Sequence, residues 1–186
     1  MTTESALATI RESFGRVVYT HKTHLKMIDS LNARATAVKL ANIIALLLTT
    51  GGILTPIFDA LPFKNIVLSL CSAFALGVAV YQISFDPALE IEAHRKCAKH
   101  LWIIREKYIN LIADIKDGFL ADADVRNQRD CLVDELGKIY QEAPDTRPRA
   151  YKAARKALKI NQEMTFSSQE IDLFLPVRLR ENQTTP

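Results

Sequence analysis

The sequence predicts an all-α protein: a two-span transmembrane helical hairpin with long cytoplasmic helical extensions and a small C-terminal helical region. The first observation is that residues 40–58 and 65–85 contain no charged side chain, although 24% of the chain is charged. The second is that only six glycines and seven prolines occur among 186 residues, and long stretches have neither. This scarcity favours helices over short strands.

The two uncharged runs have the length of membrane spans. A helix rises 1.5 Å per residue, so about 20 apolar residues cross the hydrocarbon core of a bilayer. Residues 59–64 between the runs hold one acid, one base and a proline. Six residues are enough to reverse the direction of the chain between antiparallel helices. The alternative is a soluble bundle with a very apolar central hairpin. It is disfavoured because buried soluble helices rarely stay uncharged for so long.

Lysine and arginine counts predict the orientation of the hairpin. Residues 20–39 hold four of these side chains, residues 86–105 hold four, and the connection holds Lys64 alone. Basic residues concentrate on the cytoplasmic side of a membrane. Both termini are therefore expected in the cytoplasm. The domains follow as a cytoplasmic amphipathic helix over 1–39, the hairpin over 40–85, a cytoplasmic helical region over 86–176 and a disordered tail over 177–186.

Composition and motifs argue against several classes of protein. A net charge of +3 is too small to imply a polyanion partner, so no direct nucleic-acid binding is expected. Three cysteines without a paired spacing favour a reduced chain. No phosphate-binding loop or hydrolase motif occurs. His94, Cys97 and His100 fan around one helix instead of converging. We therefore expect no enzyme, no cofactor and no metal site.

A continuous apolar seam runs along the first helix. Its members recur every three or four residues, which places them on one face. The core of this candidate oligomer seam is Phe14, Val17, His21, His24, Ile28 and Leu31. The two histidines fit polar specificity within an apolar contact, and zinc binding or pH sensing are the alternatives. The seam predicts that copies of the chain assemble into a homo-oligomer.

Small and polar residues mark one face of each predicted span. Polar groups that face lipid are costly, so such faces turn toward other helices or water. Close packing between helices and the lining of a pore are both consistent with this pattern. The candidate residues are Asn42, Thr49, Gly52 and Thr55 in the first span, and Ser69, Ala73, Gly77 and Gln82 in the second.

The region after the second span predicts further helices. An amphipathic pattern ends near Gly118, a second helix follows Asp122, and prolines at 144 and 148 interrupt it. The basic segment 147–159 is expected to be helical. Ser167 and Glu170 form a capping box that opens a short helix, 171–175.

Several segments together resemble the SLATT family. They are Ser13-Phe-Gly-Arg-Val-Val-Tyr-Thr-His-Lys-Thr-His24, the Leu-Thr-Thr-Gly-Gly within Leu40–Gly52, Lys99-His-Leu-Trp-Ile-Ile-Arg-Glu-Lys-Tyr108, Arg129-Asp-Cys-Leu-Val-Asp-Glu-Leu and Thr165-Phe-Ser-Ser-Gln-Glu-Ile-Asp. The resemblance covers most of residues 10–176. These are helix-face patterns and not a chemical constellation, so they transfer no catalytic residue.

The resemblance implies a membrane effector of a bacterial anti-phage defence system. Such a protein would sit in the inner membrane and form a pore or disrupt the bilayer, which causes growth arrest or cell death. Its implied partners are copies of itself, the lipid bilayer and a co-encoded signalling or nucleic-acid-synthesising defence protein. The alternative is a non-catalytic, membrane-anchored scaffold that tethers a cytosolic sensor or enzyme.

Overall fold

The computed structural model describes residues 3–49, 63–84 and 87–181, which are almost entirely helical and contain no β-strand. This confirms the all-α class. The helices are α1 (Thr3–Thr49), α2 (Lys64–Ser84), α3 (Pro87–Lys116), α4 (Asp122–Glu142), α5 (Pro148–Lys159) and α6 (Ser168–Phe174), with a 3₁₀ turn at Val177–Leu179.

Helix α1 is the axis of the molecule. Its 47 residues extend for about 70 Å at the usual rise. Gly15 is the only glycine within it, and no proline interrupts it. Helices α2, α3 and α5 all pack against α1. One uninterrupted helix therefore connects the charged N-terminal region to the apolar segment that begins at Leu40.

The hydrophobic core lies mainly between α1 and α3. Ile10 and Val17 of α1 are buried with Leu101, Ile104 and Tyr108 of α3. Their spacing of three, four or seven residues keeps each set on one helix face. Helix α4 packs back on α3 after a turn at Gly118, whose φ is +73°, a conformation glycine adopts without strain. Val125 and Leu132 then join the same core.

Helix α5 packs on α1 through small side chains. Pro148 occupies its first turn, where a missing backbone N–H is harmless. Ala150, Ala154 and Ala157 are buried, while the basic side chains lie on the remaining surface. Tyr151 meets Tyr19 of α1 at a ring-centroid distance of 6.0 Å.

The C-terminal segment begins as the capping box predicts. The backbone N–H of Glu170 donates to Ser167 Oγ at 3.2 Å, and the helix ends at Phe174. The tail that the sequence predicts to be disordered begins at 177, and its first residues are described. Val177–Leu179 form a 3₁₀ turn, held because Glu181 N–H donates to Asp172 Oδ1 at 3.1 Å. Residues 182–186 lie outside the described residues.

The hairpin prediction is met in part. Among the described residues, the helical stretch Asn65–Lys116 contains one segment long and apolar enough to cross a membrane. That segment is the predicted second span, and α2 ends at Ser84, one residue before its predicted boundary. The predicted first span is described only as far as Thr49, as the apolar end of α1. Residues 50–62, with most of the predicted connection, lie outside the described residues.

The described part of the first run lies antiparallel to α2. Gln82 Nε2 donates to the carbonyl of Val38 at 3.5 Å, and Ala41 lines a small cleft with Gly77 and Val78. The two segments leave most of their apolar surface uncovered. Side chains of Leu47, Leu70, Phe74 and Ile83 are 63%, 65%, 59% and 86% exposed.

Candidate functional site

The predicted seam of α1 is buried within the single chain. Val17, His21, His24 and Leu31 are buried, and Phe14 and Ile28 are half-buried. Helices α3 and α5 cover this region of α1. The seam is thus an intrachain packing face in this structure. Its use between copies of the chain stays a prediction.

A histidine pair lies at the centre of the α1–α3 contact. His24 Nδ1 and His94 Nδ1 are 2.7 Å apart, and both side chains are buried. Cys97, also on α3, places its Sγ 3.4 Å from His24 Nε2. His94 and Cys97 occur three residues apart, so they present adjacent positions on α3 to the same histidine of α1.

The hydrogen-bond partners assign the proton positions in this cluster. Burial raises the pKa of the Cys97 thiol to about 11, so the S–H remains protonated and donates to His24 Nε2. His24 then carries its proton on Nδ1 and donates to His94 Nδ1. His94 in turn carries its proton on Nε2, which lies 3.9 Å from Glu90 Oε1. Both rings are neutral in this arrangement, and the Cys97–His24 and His24–His94 contacts each have one donor and one acceptor.

The chain of polar groups continues to the protein surface through Glu90. His94 Nε2 is buried and has no hydrogen-bond partner, so the carboxylate of Glu90 is its nearest compensating group. Arg147, immediately before α5, approaches the same carboxylate oxygen at 3.6 Å. The pair therefore connects α1 and α3, and Glu90 connects the pair to the start of α5.

His21 forms a second polar contact in the same interface. Its Nδ1 lies 2.9 Å from the carbonyl oxygen of Ala98, so this nitrogen carries the proton and donates. Its ring centroid is 5.5 Å from that of Trp102. The Arg105 guanidinium lies over the Trp102 ring, 4.6 Å from the ring centroid, which is a cation–π distance.

All three buried histidines resist protonation. Burial is the largest cause in each case. It lowers the pKa of His24 to about 4, with the neighbouring His94 as the second cause. The pKa values of His21 and His94 are lowered as well. A buried imidazolium loses hydration without gaining a full ion pair, so the neutral form is favoured at neutral pH.

The geometry shows no convergent metal site in the part of the chain that the structure describes. The two nitrogens of His24 face different partners, so they cannot share one ion with both His94 and Cys97. His100 is exposed, whereas His94 and Cys97, predicted to diverge around the helix, both contact His24. What the cluster can do chemically is hold two helices in register through neutral, directional hydrogen bonds.

The candidate residues of the spans fall on different faces. Asn42 is half-buried near the buried Ala45 of α1, and Gln82 contacts α1 through Val38. Ser69, Ala73 and Gly77 are exposed. The half-buried positions of α2 lie mainly on another face: Val67, Cys71, Ala75, Val78, Ala79, Tyr81 and Gln82. Thr49 is the last residue of α1, and Gly52 and Thr55 lie outside the described residues.

The small-residue ridge of α2 therefore does not pack against α1. Ser69 satisfies its hydroxyl within its own helix, since it donates to the carbonyl of Asn65 at 2.8 Å. A cleft of about 230 Å³ includes Gly77 at the border between the ridge and α1. The ridge remains on the uncovered side of the helix.

The sequence pattern identifies His21 and His24 but not the partner of His24. It groups His94 with Cys97 and His100, whereas the His94 ring contacts His24, 70 residues away. The available signal was its position: Ile91, His94, Cys97, Ala98 and Leu101 are buried on one face of α3. A histidine within an apolar stripe has to find a polar partner on the opposing helix.

A sequence model of one protein family matches most of the chain. The family is described as SMODS and SLOG-associating 2TM effector domain family 4, and the match covers residues 7–170. No curated protein and no solved structure matches the chain.

Proposed function

Because the chain belongs to the SMODS and SLOG-associating 2TM effector domain family 4, we propose that it is a two-span membrane effector of a bacterial defence system. In this proposal the first span starts at residue 40 and the second ends at residue 85. Both termini lie in the cytoplasm, and copies of the chain assemble in the inner membrane into a pore or a bilayer-disrupting complex. A co-encoded signalling or nucleic-acid-synthesising protein would supply the trigger.

The observation that carries the proposal is the uncovered apolar surface at the end of α1 and along α2. Leu40, Ile43 and Leu47 are exposed on α1, as are Leu70, Leu76 and Val80 on α2. Adjacent apolar patches of this extent are unfavourable in water and favourable in hydrocarbon. Both helices satisfy their backbone hydrogen bonds internally, as a spanning segment requires.

The exposed ridge of Ser69, Ala73 and Gly77 supports assembly between copies. Small residues at four-residue intervals allow close approach of helices in lipid. Since α1 covers another face of α2, the ridge is open to a helix from a second copy. Identical copies arranged by rotation would form a closed ring around a central axis.

A membrane-potential assay tests the effector proposal. Induced expression of the full chain is expected to collapse the signal of a potential-sensitive dye before growth stops. An Asn42→Leu variant removes the amide of the first span and should reduce depolarisation if that amide contacts water in the open state. A matched Ile43→Leu variant keeps the side chain apolar and should behave like the wild type. Growth arrest without depolarisation would contradict pore formation.

The scaffold alternative has its own supporting observation. The end of α5 and the segment after it expose large apolar side chains far from the predicted spans in sequence: Ile160, Phe166, Leu173, Phe174 and Val177. A cytosolic protein could bind such a surface. The scaffold is favoured over the pore if the Asn42→Leu variant still captures the partner and the Phe174→Ser variant does not. Neither variant should then depolarise the membrane.

A further inference from the structure

A cleft of about 200 Å³ lies where the hairpin meets the cytoplasmic bundle. Its polar lining residues are Arg34 and Lys39 of α1 and Tyr81 and Gln82 of α2. Val38 and Pro87 contribute apolar surface. The cleft is therefore amphipathic, with two basic side chains beside an apolar wall.

The polar groups of the cleft are arranged by contacts between the two helices. Arg34 donates through Nη2 to the hydroxyl of Tyr81, and its guanidinium lies 5.7 Å from the centroid of the Tyr81 ring. Gln82 reaches the carbonyl of Val38. These contacts hold an arginine and an aromatic ring at the end of a predicted span, where amphipathic side chains usually mark the bilayer interface.

The register of α1 and α2 places Lys39 beside the uncharged C-terminal part of α2. Val38 lies next to Gln82, and Ala41 lies near Gly77 and Val78. Lys39 is consequently level with the last turns of α2 and not beyond them. A lysine at this depth extends its ammonium toward the headgroups. An anion at that level would offset the loss of hydration.

The charge near the cleft favours an anionic ligand. Arg34 and Lys39 both line the cleft, and no carboxylate occurs among its described lining residues. No described carboxylate forms an ion pair with Lys39. Guanidinium and ammonium groups that converge between membrane helices on the cytoplasmic side suit the phosphate of a lipid headgroup.

We propose that this cleft binds the phosphate of an anionic phospholipid, with Arg34 and Lys39 as its counter-ions. Tyr81 positions the guanidinium, and the apolar wall accommodates the glycerol and the start of the acyl chains. The site would make stability of the effector depend on the lipid composition of the inner leaflet. This inference rests on the proposed insertion of the hairpin into a membrane.

The test measures thermal stability of the purified full chain in neutral-detergent micelles. Three additives are compared: phosphatidylglycerol, phosphatidylcholine and soluble glycerol 3-phosphate. Phosphatidylglycerol is expected to raise the melting temperature, and phosphatidylcholine to leave it unchanged. Protection by glycerol 3-phosphate at equal concentration would assign the site to a soluble phosphate compound and overturn the lipid assignment.

Variants separate a specific site from general attraction to negative charge. Arg34→Gln and Lys39→Gln should each raise the half-saturating amount of phosphatidylglycerol about fivefold, the effect of one basic residue near a membrane surface. Lys39→Arg should keep the response, which shows that the loss in Lys39→Gln is not a folding defect. Lys99→Gln is the matched control, because Lys99 is exposed on α3 away from the cleft. An unchanged response in both glutamine variants would overturn the site.

Flotation with phosphatidylcholine liposomes distinguishes failure of the site from failure of the proposed function. Wild type and all variants should float equally, since the apolar helices carry insertion. If the wild type does not float, membrane insertion itself is contradicted. If it floats but phosphatidylglycerol and phosphatidylcholine protect it equally, the proposed site for an anionic phospholipid is overturned and membrane insertion is not.

Discussion

His24 and His94 form a neutral hydrogen-bonded pair within an apolar helix–helix contact. The pair depends on proton positions, because Nδ1 of His24 donates to Nδ1 of His94 across 2.7 Å. A proton added to either ring would place a positive charge in a buried site. The surrounding charges are Glu90 and Arg147 beside His94, and Lys22 and Arg105 beside His21. Lys22 and Arg105 are paired with Glu163 and Glu106, and Glu90, which Arg147 also approaches, is the one carboxylate near the histidine pair.

This arrangement predicts that acid destabilises the cytoplasmic bundle. The folded-state pKa of His24 is about 4, below its ordinary value of 6.5, so the unfolded chain binds more protons between these limits. The contribution of His24 to stability is therefore complete above pH 6.5 and falls as pH drops toward 4, by roughly 1 kcal/mol for each unit. Thermal unfolding of the detergent-solubilised full chain should show a melting temperature several degrees lower at pH 5 than at pH 7.5.

Two glutamine variants identify the group responsible. His24→Gln removes the titrating ring and keeps a donor and an acceptor, so the fall in melting temperature between pH 6.5 and 5 should be smaller. His100→Gln changes an exposed histidine on the same helix as His94 and should retain the wild-type dependence. An equal pH response in wild type and His24→Gln would contradict the assignment.

Helix α2 has two different faces. The face with Cys71, Ala75 and Val78 is half-buried on the α1 side, whereas the ridge with Ser69 and Ala73 is exposed. The division follows from helical geometry, since a step of one residue turns the helix by about 100°. The α1 contact thus leaves the small residues open to another copy.

Replacing Ala73 with leucine is expected to weaken self-association. The added side chain fills the space that close helix approach requires, at a penalty of about 1–3 kcal/mol. The dissociation constant should then rise roughly tenfold or more, measured by light scattering with size-exclusion chromatography in detergent. Ser72→Leu is the control, because Ser72 is also exposed but lies off the ridge. Equal effects of both substitutions would exclude the ridge as the contact.

At the scale of the whole molecule, α1 joins two environments. Its N-terminal part packs with α3 and α5, and its C-terminal part, from Arg34 onward, contacts α2. Because the helix is continuous, a rotation or tilt in one part is transmitted mechanically to the other. In the proposed effector, this continuity would allow a trigger that binds the helical bundle to change the hairpin.

Cysteine labelling tests the proposed orientation of the whole chain. Cys131 is exposed on α4, so a membrane-impermeant maleimide should reach it only after permeabilisation of spheroplasts. Phe63→Cys, combined with Cys131→Ser, places an exposed thiol at the described end of the connection and should react in intact spheroplasts. Labelling of Cys131 without permeabilisation would reverse the orientation.

The sequence by itself determined the helical class, the position of the apolar segments and several helix ends. These features are local, because each signal acts within a few residues. The signals are the length of the uncharged runs, Pro144 and Pro148, the alternation of alanine and basic residues in α5, and the cap at Ser167. For this reason, the bounds of the predicted second span agree with those of α2 to within one residue at each end. The seam of α1 was also visible, because burial on one face imposes its spacing.

Only the tertiary structure decided which surfaces meet. Helical periodicity identifies an apolar face but carries no information on whether its partner is a second copy or a distant segment of the same chain. The seam residues Val17 and His24 pack against α3, and His24 pairs with His94, 70 residues away. The register that brings Arg34 to Tyr81 depends in the same way on the antiparallel packing of α1 and α2. Such contacts arise from the three-dimensional path of the chain, so no local pattern specifies them.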